Sequence, residues 1–152
     1  LKGNNGTVIA FICNHCPYVI KIAKSLAYEA EQLRNIGIST IAIMPNDVEE
    51  YPLDSFENMK LFKKKFKFTF QYLYDDTQEI AKNYKAVCTP DIYGFNRNLV
   101  LKYRGRIDSS SVLSKKNNII KRDLFYAMEQ IYKTNEGPEK QFNSFGCSIK
   151  WK

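Results

Sequence analysis

The stretch Cys13-Asn14-His15-Cys16-Pro17 constrains this chain more than any other. It directly follows the apolar run Val8-Ile9-Ala10-Phe11-Ile12 and directly precedes a segment with helical periodicity. A short, continuously apolar run is what a parallel strand covered on both faces requires. Two thiols flanking a strand-to-helix turn can interconvert between dithiol and disulfide. Unpaired N–H groups at a helix N-terminus favour a thiolate, so the outer thiol, Cys13, is expected to be the low-pKa group. Pro17 is tolerated only in the first helical turn, which puts the expected helix start at about Cys13 or Asn14.

The helix that follows carries Val19, Ile22, Ala23, Leu26, Ala30 and Leu33 on one stripe, and Gly37 is its expected end. Residues 38–44 form a second apolar run, completing a β-α-β unit. Asp54 is expected to start a second helix, with Phe56, Met59, Phe62 and Phe66 spaced for one face. Its interleaved lysines follow from the solvent side of that helix and not from nucleic-acid binding. Phe68, Phe70, Tyr72 and Tyr74 alternate as a strand. Asp76 and Glu79 are spaced for a capping box on a short helix running to Tyr84. Residues 92–95 and 99–103, split by Asn96-Arg97-Asn98, read as a β-hairpin, so the sheet is mixed at that end. Residues 108–118 read as a mobile loop, and Ile120, Leu124, Ala127, Met128 and Ile131 mark a last helix stopped near Gly137-Pro138. Residues 138–152 have no helical period but carry Phe142, Phe145, Cys147, Ile149 and Trp151, as expected of a tail packed on a domain spanning residues 1–137.

A chain of 152 residues suits one domain. The net charge of +7 favours acidic partners in general, but a solvated basic surface accounts for it and no specific nucleic-acid partner is expected. Four cysteines, Cys13, Cys16, Cys88 and Cys147, are too few and too unevenly spaced for a disulfide scaffold. There is no second CxxC and no His-x-x-x-His pair, so no structural zinc, and no other metal or cofactor, is expected. No run reaches the about 18 apolar residues of a membrane span, and no signal peptide is visible. The chain begins at Leu1 and not Met, so a preceding segment is expected to have been lost. A cytoplasmic location is expected, and a periplasmic one stays open because an export signal could have gone with that segment.

A CxxC at a strand-to-helix turn inside a βαβ pattern, followed by Thr89-Pro90, a hairpin and a final helix, resembles the thioredoxin fold. The expected class is α/β, a central mixed sheet flanked by helices in three α/β/α layers. More closely, the chain is similar to a bacterial thioredoxin-like subgroup grouped with the alkyl hydroperoxide reductase and thiol-specific antioxidant (AhpC/TSA) proteins. The likeness lies in Cys13-Asn14-His15-Cys16-Pro17-Tyr18-Val19, Asn46-Asp47 with Tyr51-Pro52, and Tyr72-Leu73-Tyr74-Asp75. It continues in Ala86-Val87-Cys88-Thr89-Pro90-Asp91, in Tyr103-Arg104-Gly105-Arg106-Ile107-Asp108, and in Gly146-Cys147-Ser148-Ile149-Lys150-Trp151. It starts inside the fold, so strands that normally precede the first βαβ unit are expected to lie outside this chain.

The resemblance implies that Cys13 attacks and Cys16 resolves, and that Pro90 is cis and lies against the cysteines. It also implies that Thr89, Pro90 and Asn14 meet a bound substrate peptide, with the Thr89 backbone pairing to it. Ile12 and Asn14-His15 replace the Trp and Gly-Pro of the usual thioredoxin site. A His before the second cysteine is similar to that of disulfide isomerases and periplasmic oxidases, so His15 is expected to stabilise the thiolate. Peroxiredoxins carry Pro-x-x-x-Thr/Ser-x-x-Cys. With Cys16 as the reactive thiol those positions are Ile9 and Cys13, and with Cys13 they are Gly6 and Ala10, so neither frame fits.

Three functions stand at this point. The first is a thiol-disulfide oxidoreductase acting on protein or small-molecule disulfides with an unidentified electron donor. The second is a thiol peroxidase with an antioxidant role, for which Arg104 or Arg106 would have to reach the cysteines. The third is a non-catalytic thioredoxin-fold binding module. Cys88, two residues before Pro90, is expected near the site as a buried thiol, and Cys147 as an inert or an extra resolving thiol. Both are accessory redox candidates, and oligomeric state is left open.

Overall fold

The computed structural model describes residues 1–111 and 119–152. Strand β1 (Gly6–Phe11) is buried along its whole length, as its apolar run requires. Helix α1 (Pro17–Asn35) buries the expected stripe but starts later than expected. Cys16 is its N-cap in an extended conformation and Pro17 occupies the first turn, where a missing N–H costs no helical bond. Gly37 takes φ +79° just beyond the helix, a conformation that favours glycine. Strand β2 (Ile38–Met44) then pairs parallel with β1.

A 3₁₀ turn, Pro52–Asp54, precedes helix α2 (Phe56–Lys65), so Asp54 closes that turn and Ser55 caps the helix by accepting from the Asn58 N–H. Met59 and Phe62 are buried, but Phe56 is exposed, a departure from the expected face of Phe56, Met59, Phe62 and Phe66. Strand β3 (Gln71–Tyr74) is shorter than the alternating pattern, because a left-handed residue, Lys67, turns the chain just before it. Phe68 and Phe70 instead stack on each other at 4.5 Å beside Phe62. Helix α3 (Glu79–Asn83) has no capping box. The buried Asp75 carboxylate accepts from Ala81 N–H at 2.8 Å and Ile80 N–H at 3.4 Å, taking the role expected of Asp76.

Strand β4 (Cys88–Thr89) is followed by the hairpin β5 (Asp91–Asn96) and β6 (Leu101–Gly105). The five-stranded sheet runs β3-β2-β1-β5-β6, parallel on its first three strands and antiparallel across β1-β5-β6. The loop expected over 108–118 begins instead with a 3₁₀ turn, Ser109–Ser111, tied to Lys121 by two hydrogen bonds, and its remainder lies outside the described residues. Helix α4 (Asp123–Thr134) starts after Ile120 and ends where Asn135 adopts φ 64°. A short strand β7 (Cys147–Ser148) pairs antiparallel with β4.

Alternation along the central strands sorts the core. Val8, Ala10, Ala42 and Met44 pack under α1, α2 and α4. Ile9, Phe11, Ile41 and Ile43 face the opposite side, covered by Ala81 of α3, Ala86 and Ile149 of the tail. The sheet thus sits between a thick helical layer and a thin one completed by residues after α4. Among the described residues no helix is long and apolar enough to cross a membrane.

Candidate active site

β1 and β2 end side by side, and Ile12 N–H still bonds the Ile43 carbonyl at 2.9 Å. The Cys13–Cys16 loop therefore leaves the sheet at the carboxyl ends of its parallel strands, the usual place for a site in an α/β sheet. Neither cysteine exposes surface to solvent. Thr89 meets both: its hydroxyl lies 3.3 Å from Cys13 Sγ, and its carbonyl accepts from Cys16 Sγ at 3.4 Å. The Thr89–Pro90 bond is cis, as the resemblance implied.

The pKa shifts in this pair run opposite to the expected low-pKa Cys13. Because the helix begins at Pro17, the N-cap is Cys16 and not Cys13. A hydrogen bond from the Cys13 thiol lowers Cys16 to about 4 against the cost of burial, helped by the Cys147 thiol and the N–H groups of Val19 and Cys147. Cys13 moves the other way, well above the ordinary thiol range, through that same bond, its burial and the nearby Asp54 charge. Cys147 is pushed up to about 11 by burial and by its bond to Cys16. The three sulfurs are thus coupled, with the Cys16 pKa shifted down and those of Cys13 and Cys147 shifted up.

Asp54 is the residue that sequence reasoning missed. It is fully buried, and its two carboxylate oxygens receive Asn14 N–H at 2.7 Å, His15 N–H at 3.3 Å, the His15 ring at 2.6 Å and the Asn46 amide at 2.9 Å. Two of these bonds hold the CxxC backbone, and a third fixes the imidazole. The His15 ring also stacks on Tyr51 at 5.7 Å. Asn14 donates to Leu53 carbonyl and accepts from Tyr72 hydroxyl, so its side chain is engaged in holding the loop. The only local cue to Asp54 was its place in a Tyr-Pro-Leu-Asp-Ser turn, which reads equally well as a helix cap.

Cys13, His15 and Asp54 offer ligand atoms within 4.8 Å of one another. A metal ion there would have to displace the hydrogen bonds that occupy both Asp54 oxygens. Cys88 is half-buried, its thiol directed to the Pro90 carbonyl at 3.6 Å, and burial pushes it up to about 11. The two arginines considered for peroxide chemistry are committed elsewhere: Arg104 to Asp91 at 3.0 Å and Arg106 to Asp123 at 2.8 Å.

The edge expected to receive a substrate peptide is occupied by the chain itself. Thr89 registers with Cys147 and Cys88 with Ser148. A Cβ on Gly146 would overlap the Thr89 carbonyl, so only glycine allows this approach. Cys147 Sγ then lies 2.7 Å from Cys16 Sγ.

The sheet order, the CxxC at the β1–α1 turn and the cis Thr89–Pro90 bond define a thioredoxin-like α/β protein. The chain matches the AhpC/TSA family over residues 1–121, and it belongs to that family. A solved structure of an uncharacterized conserved protein from Geobacillus kaustophilus is 44% identical, with a TM-score of 0.90 over 99% of this chain and 79% of that one. A hypothetical protein from Sinorhizobium meliloti 1021 is 32% identical, with a TM-score of 0.88 over 98% and 81%. A secreted disulfide oxidoreductase from Mycobacterium tuberculosis shares the fold at 18% identity, with a TM-score of 0.56 over 65% of this chain and 67% of that one. No curated protein matches.

Proposed function

We propose that this protein is a thiol-disulfide oxidoreductase using Cys13 and Cys16 as its redox pair. The observation that carries this reading is the buried CxxC pair at the start of α1, with Cys13 Sγ 3.3 Å from the Thr89 hydroxyl and Cys16 Sγ 3.4 Å from the Thr89 carbonyl beside the cis Pro90 bond. Cys13 gives its proton to a base, for which His15, oriented by Asp54, is the candidate, and attacks one sulfur of a substrate disulfide. The substrate S–S bond breaks and its other sulfur leaves as a thiolate. Cys16, as its thiolate, then attacks Cys13, releasing the second substrate thiol and leaving a Cys13–Cys16 disulfide. Two electrons pass from the protein pair to the substrate, and an external dithiol restores them. No cofactor enters these steps. Partners are therefore protein or small-molecule disulfides and a thiol electron donor.

Peroxide reduction is the weaker reading. It needs preorganised donors along the O–O bond, and losing one such donor costs on the order of a hundredfold in rate. The Thr89 hydroxyl is one candidate beside Cys13, but Arg104 and Arg106 are engaged with carboxylates.

Insulin reduction and hydrogen peroxide consumption, each with dithiothreitol as donor, separate the two. Fast peroxide turnover lost in Cys13→Ser, with negligible insulin reduction, would replace the first reading with the second. Mixed-disulfide trapping tests the roles: Cys16→Ser should accumulate a substrate adduct on Cys13, and an adduct formed only on Cys16 in Cys13→Ser would reverse them. The reduction potential of the pair gives the direction, near about −270 mV for a reductase and near about −120 mV for an oxidant.

A further inference from the structure

The proposed redox pair is sealed from solvent, whereas a third sulfur touching it is not. Cys13 and Cys16 expose no surface, but Cys147 is half-buried. Its sulfur lies 2.7 Å from Cys16 Sγ, closer than unbonded sulfurs normally sit and longer than the about 2.05 Å of a disulfide. Fixed bonds hold it there. Thr89 registers with Cys147, and Ile149 N–H bonds Val87 carbonyl at 3.0 Å. Lys150 N–H bonds Asn46 at 2.9 Å, and its carbonyl accepts from Asp47 N–H at 2.8 Å and Gln78 at 2.9 Å. Asn46 in turn donates to Asp54, so one hydrogen-bonded chain joins the tail to the CxxC loop. The Gly146-Cys147 segment lies on the Cys88–Thr89 edge as a peptide substrate would, with its cysteine against the inner thiol.

We propose that Cys147 is a third redox thiol that carries the disulfide from the buried pair to the surface. The proposal rests on the oxidoreductase reading, which supplies the Cys13–Cys16 disulfide. Cys147, as its thiolate, attacks Sγ of Cys16. The Cys13–Cys16 bond breaks, a Cys16–Cys147 bond forms, and Cys13 leaves as a thiolate that takes up the proton Cys147 gave up. The exchange is electron-neutral and needs no further oxidant. An external dithiol then attacks the Cys147 sulfur, the half-exposed end of the new bond, releasing Cys16 as a thiolate, and its second sulfur attacks the resulting mixed disulfide to free Cys147 and leave the dithiol oxidised. Tethering in contact replaces a bimolecular encounter, so the exchange competes with direct attack on a buried bond.

The test uses the full chain, oxidised with a slight excess of glutathione disulfide, acid-quenched, alkylated and mapped by mass spectrometry. The expected result is a Cys16–Cys147 linked peptide beside the Cys13–Cys16 one, and Cys16–Cys147 alone in Cys13→Ser. In Cys147→Ser the Cys13–Cys16 disulfide should accumulate, and steady-state insulin reduction with dithiothreitol should fall about tenfold or more. Cys147→Ala, checked for a native circular dichroism spectrum, repeats this without a hydroxyl. Absence of the Cys16–Cys147 peptide from oxidised wild type, or wild-type turnover in both Cys147 variants, overturns the relay. Failure of insulin reduction while the Cys16–Cys147 peptide still forms overturns the oxidoreductase reading instead and supports the exchange itself.

Discussion

The Asp54 carboxylate takes the His15 ring nitrogen at 2.6 Å from 39 positions away in the chain, and the same group receives the backbone of the CxxC loop. A fully buried carboxylate is tolerated because each oxygen accepts two N–H donors. The 3₁₀ turn before α2 is therefore part of the site.

Asp54→Ala should destabilise the reduced protein by about 3 kcal/mol, because it strands several buried donors at once. Asp54→Asn should cost less, since an amide keeps one acceptor oxygen. Removing the charge also removes one cause of the raised Cys13 pKa, so Cys13 should alkylate faster in Asp54→Asn. Urea denaturation and iodoacetamide labelling with peptide mapping measure the two effects. Unchanged stability in Asp54→Ala would show that the loop does not depend on this carboxylate.

The lowered Cys16 pKa makes stability depend on pH. Its pKa is about 4 in the fold and near 9.0 without it, so folding is favoured wherever the folded group alone is ionised. The contribution is fully present above about 9 and is lost as pH falls toward about 4. Cys13 acts oppositely: its raised pKa in the fold lowers stability once unfolded thiols ionise, above about 9. Under reducing conditions wild type should therefore gain stability over Cys16→Ser between pH 5 and 8. Urea midpoints at several pH values measure it, and a constant difference would locate the thiolate elsewhere.

Gly146→Ala should lift the tail from β4, because the new Cβ and the Thr89 carbonyl would occupy the same space. Native-state alkylation of Cys147 should accelerate. The Ile149 amide, bonded to Val87 carbonyl, should lose protection from hydrogen exchange. Wild-type rates in both measurements would mean that the tail is not held by this approach.

Arg122→Ala should cost about 1–2 kcal/mol, because it strands the buried Glu29 carboxylate while Arg122 itself is part-exposed. Both Glu29 oxygens accept from Arg122 at 2.7 Å, Glu29 is only 5% exposed, and the guanidinium lies 4.1 Å from the Phe125 ring centre. Adding Glu29→Gln should recover part of the loss by removing the stranded charge. Chemical denaturation of the two variants and the wild type measures it, and no recovery would assign the loss to packing on Phe125.

Residues 8–12, the stripe from Val19 to Leu33 and residues 38–44 settled the β-α-β unit by themselves, because burial on one or both faces imposes a period that any window of the chain displays. Cys13 and Cys16 at that turn, with Thr89-Pro90 ahead of an alternating hairpin, likewise marked the class of fold from local pattern and resemblance. Tertiary structure decided what those residues touch. Pro17 moved the helix N-cap onto Cys16, where the bond from the Cys13 thiol lowers its pKa. Asp54 reached the loop from the far side of β2, and Cys147 reached Cys16 across 131 positions. Such contacts leave no period in the chain. They exist because parallel strands bring their carboxyl ends together, and because a short edge strand with free N–H and C=O groups is completed by whatever extended segment can approach it, here one with glycine at position 146.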